Sequence, residues 1–217
     1  GRGTPGSPPA GRDSRATARP QGGTGRESRP ENRILPYSLE QGLRAALVFF
    51  ALQASYQIRL HAVRHFGPVI HEFDPWFNFR ATQYLVDHGT AKFFTWFDEM
   101  SWYPLGRPIG TTIYPGLQLT SAAIFHATRP GSPFAGPFEG VSLNDICVYL
   151  PAVFGVITTA LTGLLAYEVS GDANAAVAAT GVMAIAPAHL MRSIAGGYDN
   201  ECIALGAMVA VFYFWCL

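Results

Sequence analysis

The chain has 217 residues and carries 15 basic and 15 acidic side chains, so no net field points to nucleic acid or to an acidic ligand. Only 14% of residues are charged against 49% hydrophobic, and the two kinds are separated along the chain. That partition argues against an ordinary soluble domain and for an all-α, polytopic membrane protein behind a polar tail.

Residues 1–38 hold seven Arg among Gly, Pro and Ser without periodicity. Such a segment cannot bury a core and reads as a disordered cytosolic tail rather than a nucleic-acid-binding arm. A first span is predicted over 39–58, "LEQGLRAALVFFALQASYQI". It lies too far from the N-terminus, and lacks the small-residue cleavage site, to be a cleaved signal peptide. The arginines before it, with Arg44 near its start, keep the N-terminus cytosolic, although Arg59 and Arg64 on the far side oppose this.

Residues 59–145 then form a large exoplasmic loop. Within it, Asp74-Pro75 predicts a helix start, with Asp74 as cap, Pro75 at the first helical position and Gly89 as terminator. Phe77, Ala81, Tyr84, Leu85 and His88 recur at helical spacing and suit an amphipathic interfacial helix, although Phe79 and Val86 interrupt its polar face. The stretch "KFFTWFDEMSWYPLG" (92–106) extends an aromatic belt at headgroup level.

Three apolar blocks follow, at 111–127, 146–167 and 173–191, and a fourth, 203–217, runs to the last residue. The first is short and carries Pro115-Gly116, so it is expected to lie in the interface or to re-enter without crossing. The next two are joined by "EVSGD". If only they cross, Asp199 and Glu201 return to the side of Asp74; a third crossing would put a membrane between them. Two crossings are favoured. The start without Met and the end inside an apolar run are those expected of a fragment of a longer protein. Cys147, Cys202 and Cys216 lie in or beside apolar blocks without metal-ligand spacing, as small buried residues rather than a disulfide framework.

The chemistry centres on Asp74, Asp199 and Glu201, each near a predicted helix start beside the membrane. Carboxylate oxygens are the preferred ligands of Mg2+ and Mn2+. Within one helix, Asp199 and Glu201 would stand about 200° apart, so joint coordination requires Asp199 to precede the helix. Asp74 is then the natural third ligand, and Arg192, at the same boundary, is placed to pair with a carboxylate. The residues also allow a plainer reading, with Asp74 a helix cap and "DNE" an ordinary loop. Glu72, Asp98 and Glu99 read as solvated interface acids, and His71 and His189 as hydrogen-bonding residues rather than ligands.

The runs "HEFDPWFNFRATQYL", "WFDEMSWYPLGRPIGTTIYPGLQLTSAAIF" and "RSIAGGYDNE" occur in order and closely resemble the catalytic subunit of eukaryotic oligosaccharyltransferase. The resemblance covers about 38–217 and leaves the tail unexplained. It implies a multi-span glycosyltransferase of the GT-C type in the endoplasmic reticulum membrane, with a lumenal active site and partner subunits. The implied reaction moves a preassembled oligosaccharide from a dolichyl pyrophosphate to the Asn amide of N-x-Ser/Thr. The resemblance also implies that Asp74 contacts both metal and acceptor amide, that Asp199 and Glu201 bind the Mn2+ or Mg2+, and that Arg192 supports them. The family's lumenal motif WWDYG is absent from 1–217, so this chain alone is expected to be inactive. The competing readings are another polyprenyl-phosphate-sugar transferase and an ion-coupled transporter.

Overall fold

In the computed structural model, the described residues are Gly1, Gly3 and 36–217. The Arg-rich tail therefore lies outside them, except that Tyr37 and Ser38, expected in the tail, already belong to the first helix.

Helix α1 (Tyr37–Arg59) covers the first predicted span, and a short α2 (His61–Phe66) follows it after Leu60. Helix α3 (Phe73–His88) starts earlier than the Asp-Pro pair predicts. Its N-cap is Glu72, at φ 65°, and Asp74 sits in the first turn without acting as a cap. A first-turn proline costs no intrahelical hydrogen bond, and a carboxylate anywhere in that turn meets the positive end of the helix dipole, so both fit one position further in. Gly89 ends the helix as expected.

The buried face of α3 is Pro75, Asn78, Ala81, Thr82 and Leu85. Ala81 and Leu85 were predicted there, but His88 is exposed, and two polar residues are buried instead. The reason is the neighbour. Helix α5 (Gly116–Ala127) packs against α3 and presents Gln118 and Ser121, both fully buried, as polar partners. The 12 residues of α5 extend only about 18 Å, too short for a hydrocarbon core of about 30 Å.

Helix α6 (Leu143–Ser170) is the one described helix long and apolar enough to cross a membrane, with 28 residues and a mean hydropathy of 1.8. Ser142 caps it by accepting the Asp145 N–H at 3.0 Å, and left-handed Gly171 ends it. After Asp172 the chain reverses into α7 (Ala173–Ile185), which packs along α6. The predicted block 173–191 is not one helix. Ala186 takes an extended conformation before Pro187, as residues preceding proline do, and α8 (Pro187–Met191) restarts. Helix α9 (Glu201–Cys216) packs on α6 from the other direction in sequence. Cys147 and Cys202 are buried, Cys216 is exposed, and all three are free thiols.

Between α3 and α5, α4 (Thr90–Phe94) leads into a small antiparallel clip of β1 (Phe97–Asp98) and β2 (Arg107–Pro108). Asp98, expected to be solvated, is buried instead. It accepts two hydrogen bonds from Arg80 at 2.8 and 2.9 Å, one from Ser101 and one from the Met100 amide. Hydrogen bonding to the Arg80 guanidinium, above all, lowers the Asp98 carboxyl to about 2. A folded-state value below the unfolded one means that this stabilisation is present above about pH 4 and is lost as pH falls toward 2. Its size is about 2 kcal/mol at most, reduced by solvent screening at the half-exposed Arg80. Asp98→Asn should therefore lower the melting temperature at pH 7 and leave it nearly unchanged near pH 2, in thermal unfolding of the detergent-solubilised protein.

Candidate active site

Residues 192–200 connect α8 to α9 as a loop, yet Ser193, Ala195, Gly196 and Tyr198 in it are buried. A buried loop must pair its own peptide groups. Here the Ala195 N–H donates to the Arg59 carbonyl at 2.9 Å, and the Gly196 N–H to the Val148 carbonyl at 2.9 Å. The Gly196 carbonyl accepts the His71 N–H at 3.0 Å. Side chains add to these links: Arg59 Nε donates to Ser193 Oγ at 2.9 Å, and Asn78 Nδ2 to the Tyr198 carbonyl at 3.3 Å. The loop is thus joined to the end of α1, to the segment leading into α3, to α3 itself and to the first turns of α6.

Close approach at Gly196 is possible only without a side chain. Its φ is +89°, and a Cβ there would lie 2.5 Å from the Val69 carbonyl oxygen and 2.6 Å from the His71 ring. This glycine brings "GGYDNE" against the strand of chain that precedes "EFD". The bond to Val148 also places the loop at the N-terminal end of α6, so the α6–α7 hairpin returns the second acidic group to the end from which α6 began.

Tyr198 fills the space between α3 and α5. Its hydroxyl lies 2.8 Å from Thr82 Oγ1 and 2.7 Å from Ser121 Oγ, and burial raises its pKa well above the ordinary phenol value. Asn78 Nδ2 also donates to Asp199 Oδ1 at 3.1 Å, while Asn78 Oδ1 accepts from Gln118 Nε2 at 3.1 Å. Asp199 Oδ1 takes a second donor, the Asn200 amide, at 2.7 Å.

Asp199 precedes α9 and Glu201 opens it, the arrangement that joint action of the two carboxylates requires. Desolvation raises the pKa of Glu201, and hydrogen bonding and charge repulsion from Asp199 raise it further, while Arg192 opposes them. Arg192 Nη1 lies 3.6 Å from Glu201 Oε1, which pairs the arginine with a carboxylate as expected. The other oxygen, Glu201 Oε2, is buried with no hydrogen-bond donor among the described residues. Two carboxylates in contact with an unsatisfied buried oxygen call for a proton or a cation between them, so this donor set fits a hard divalent ion.

Asp74 stands apart from that pair. It is exposed and lines a groove of about 580 Å³ with Trp76, Phe77, Arg80, Trp102 and Arg107. Among the described residues, no three His, Cys, Asp or Glu side chains are grouped as a metal site. Asp74 does share a helix face with Asn78, at i and i+4, about 6 Å apart along the axis. The first acidic group is therefore one turn from the residue that grips Asp199.

Asn78, Gln118, Tyr198 and Gly196 escaped the sequence reading. For Asn78 the i+4 spacing from Asp74 was a usable signal; for Gln118, inside an apolar block, there was none beyond its being polar there. Gly196→Ala combines a strained backbone with a clash against a carbonyl, and should destabilise the protein by about 2–4 kcal/mol. Limited proteolysis of the detergent-solubilised protein should then show faster cutting between 192 and 200, whereas Gly197→Ala, where φ is not positive, should be milder.

A family model described as "Oligosaccharyl transferase STT3, N-terminal" matches residues 43–217. The chain is 43% identical over 181 residues to the dolichyl-diphosphooligosaccharide–protein glycosyltransferase subunit STT3 of Saccharomyces cerevisiae, covering 82% of this chain and 24% of that protein. It is 44% identical over 176 residues to the corresponding subunit of Schizosaccharomyces pombe, covering 80% and 22%. For the Caenorhabditis elegans subunit the identity is 44% over 170 residues, covering 78% and 21%. The chain spans less than a quarter of the length of these relatives. It belongs to the STT3 family of oligosaccharyl transferases, in their N-terminal region.

Proposed function

We propose that this chain is the N-terminal, acid-bearing part of the catalytic subunit of an oligosaccharyltransferase. The whole enzyme would move a preassembled oligosaccharide from a dolichyl pyrophosphate to the Asn amide of N-x-Ser/Thr in a polypeptide. The observation that carries this reading is the docking of "GGYDNE" on α3, through Asn78 to Asp199, which joins two distant acidic motifs in one unit.

In this proposal the chain spans the endoplasmic reticulum membrane as a GT-C type transferase, with spans near 39–58, 146–167, 173–191 and 203–217. Its N-terminus is cytosolic, and 59–145, including the short block 111–127, stays on the lumenal side. The rest of the catalytic chain and other oligosaccharyltransferase subunits complete the site, so residues 1–217 alone do not turn over.

A carboxamide nitrogen is a weak nucleophile because its lone pair is delocalised into the carbonyl. Asp74, exposed beside the aromatic groove, accepts the amide N–H and orients that nitrogen toward the anomeric carbon. Asp74, Asp199 and Glu201 would hold Mn2+ or Mg2+, and Arg192 keeps Glu201 in place through its ion pair. A bound divalent ion neutralises negative charge developing on the departing pyrophosphate. The N–C bond to the sugar forms as the C–O bond to the lipid pyrophosphate breaks, and the amide nitrogen gives up one proton to the Asp74 carboxylate that accepts its N–H. The exposed aromatics Phe73, Trp76 and Trp102 keep this face at the boundary where a lipid donor meets an aqueous acceptor.

In the full-length enzyme, Asp74→Ala and Asp199→Ala should each reduce transfer to an Asn-x-Thr peptide by at least about a hundredfold. A gel-shift assay with a lipid-linked oligosaccharide donor checks this, and unchanged transfer by Asp74→Ala contradicts the assignment.

A further inference from the structure

We propose that Asn78 is a positioning residue for Asp199, and that Gln118 sets the orientation of the Asn78 amide; the proposal rests on the reading of Asp199 and Glu201 as cation ligands. Asn78 is 3% exposed and Gln118 is fully buried, so neither touches substrate. Between them they form a relay from α5 through α3 to the acidic loop. Gln118 Nε2 donates to Asn78 Oδ1, and Asn78 Nδ2 donates to Asp199 Oδ1.

The direction of this relay matters. An Asn amide can be turned over within the same volume, and the reversed amide would present its oxygen to the Asp199 carboxylate. The Tyr198 carbonyl and the Asp199 carboxylate, both acceptors for Asn78 Nδ2, oppose that reversal, and Gln118, donating on the far side, reinforces the same orientation. Gln118 maintains this at a cost, because its own Oε1 is buried without a partner among the described residues. A purely structural core position would be filled more favourably by Leu, since an unpaired buried carbonyl destabilises by about 1–3 kcal/mol. Retaining the amide there makes sense if its N–H is needed.

The consequence falls on Asp199. With Oδ1 bonded to both Asn78 and the Asn200 amide, the carboxylate is held in orientation, and its other oxygen, Oδ2, is left for a shared ion. Ligand carboxylates are commonly oriented in this way by a surrounding hydrogen-bond shell. Because Asn78 lies at i+4 from Asp74, the helix that carries one acid also aims the other. Their register therefore does not depend on the loop alone.

The test uses the full-length enzyme complex and Mn2+ alone as probe, with bound metal measured by electron paramagnetic resonance of free Mn2+. Asn78→Leu removes the donor but strands Gln118, and the double variant Asn78→Leu/Gln118→Leu restores an apolar match if the single variant folds poorly. Both should raise the Mn2+ dissociation constant roughly tenfold to a hundredfold. Saturating Mn2+ should recover most of kcat with KM for the peptide little changed. Thr82→Val, which loses the bond to Tyr198 but leaves Asp199 gripped, should lower the melting temperature and leave the Mn2+ constant at the wild-type value. If Asp199→Ala abolishes Mn2+ binding while the folded double variant binds like wild type, the positioning role is overturned. If Asp199→Ala itself binds Mn2+ normally, the cation reading fails and this proposal falls with it.

Discussion

The structure depends on one constraint: a loop that is buried must find a partner for every peptide group it hides. The segment from Arg192 to Asn200 meets that demand by donating to Arg59 and Val148 and by accepting from His71 and Asn78. Those partners lie on α1, on α6, on α3 and on the segment leading into α3. Satisfying the loop therefore fixes α1, α3 and α6 relative to it, and the position of the acids follows from that. Small residues make the fit possible, Gly196 against Val69 and His71, and Gly155 under the Arg59 guanidinium, where a Cβ would lie 2.2 Å from Nε.

The electrostatics follow from the same packing. Asp199 is held on one oxygen by two N–H donors. Glu201 has a partly buried carboxyl close to a second negative group, offset by its own backbone N–H and by Arg192. A carboxyl so placed would be costly in an inert loop and is sensible at a site built to receive a cation. Asp98 is the useful contrast: it is buried, and Arg80, Ser101 and the Met100 amide satisfy it, so it holds the aromatic clip together.

Much of this was legible in the residues. Hydropathy located α1, α6 and α9, and the "EVSGD" turn located the hairpin that brings the acids back. Geometry alone required Asp199 to precede its helix. What was not legible was which polar side chains would be buried. Asn78 and Thr82 look like the wet side of an amphipathic α3, and only the presence of Gln118 and Ser121 on α5, forty residues later in the case of Gln118, turns that side inward. The helix break at Ala186 was also missed, because proline is tolerated in apolar helices and the block read as continuous.

Sidedness tests the central claim most directly, since everything turns on Asp74 and Asp199 sharing one face. In sealed microsomes, full-length protein with every native cysteine replaced, Cys147, Cys202 and Cys216 among them, would carry a single cysteine at 74 or at 199 and meet a membrane-impermeant maleimide before and after permeabilisation. The account predicts that both positions react only once the membrane is opened. Labelling of one position from outside and of the other only after permeabilisation would place a bilayer between the two acids and contradict it.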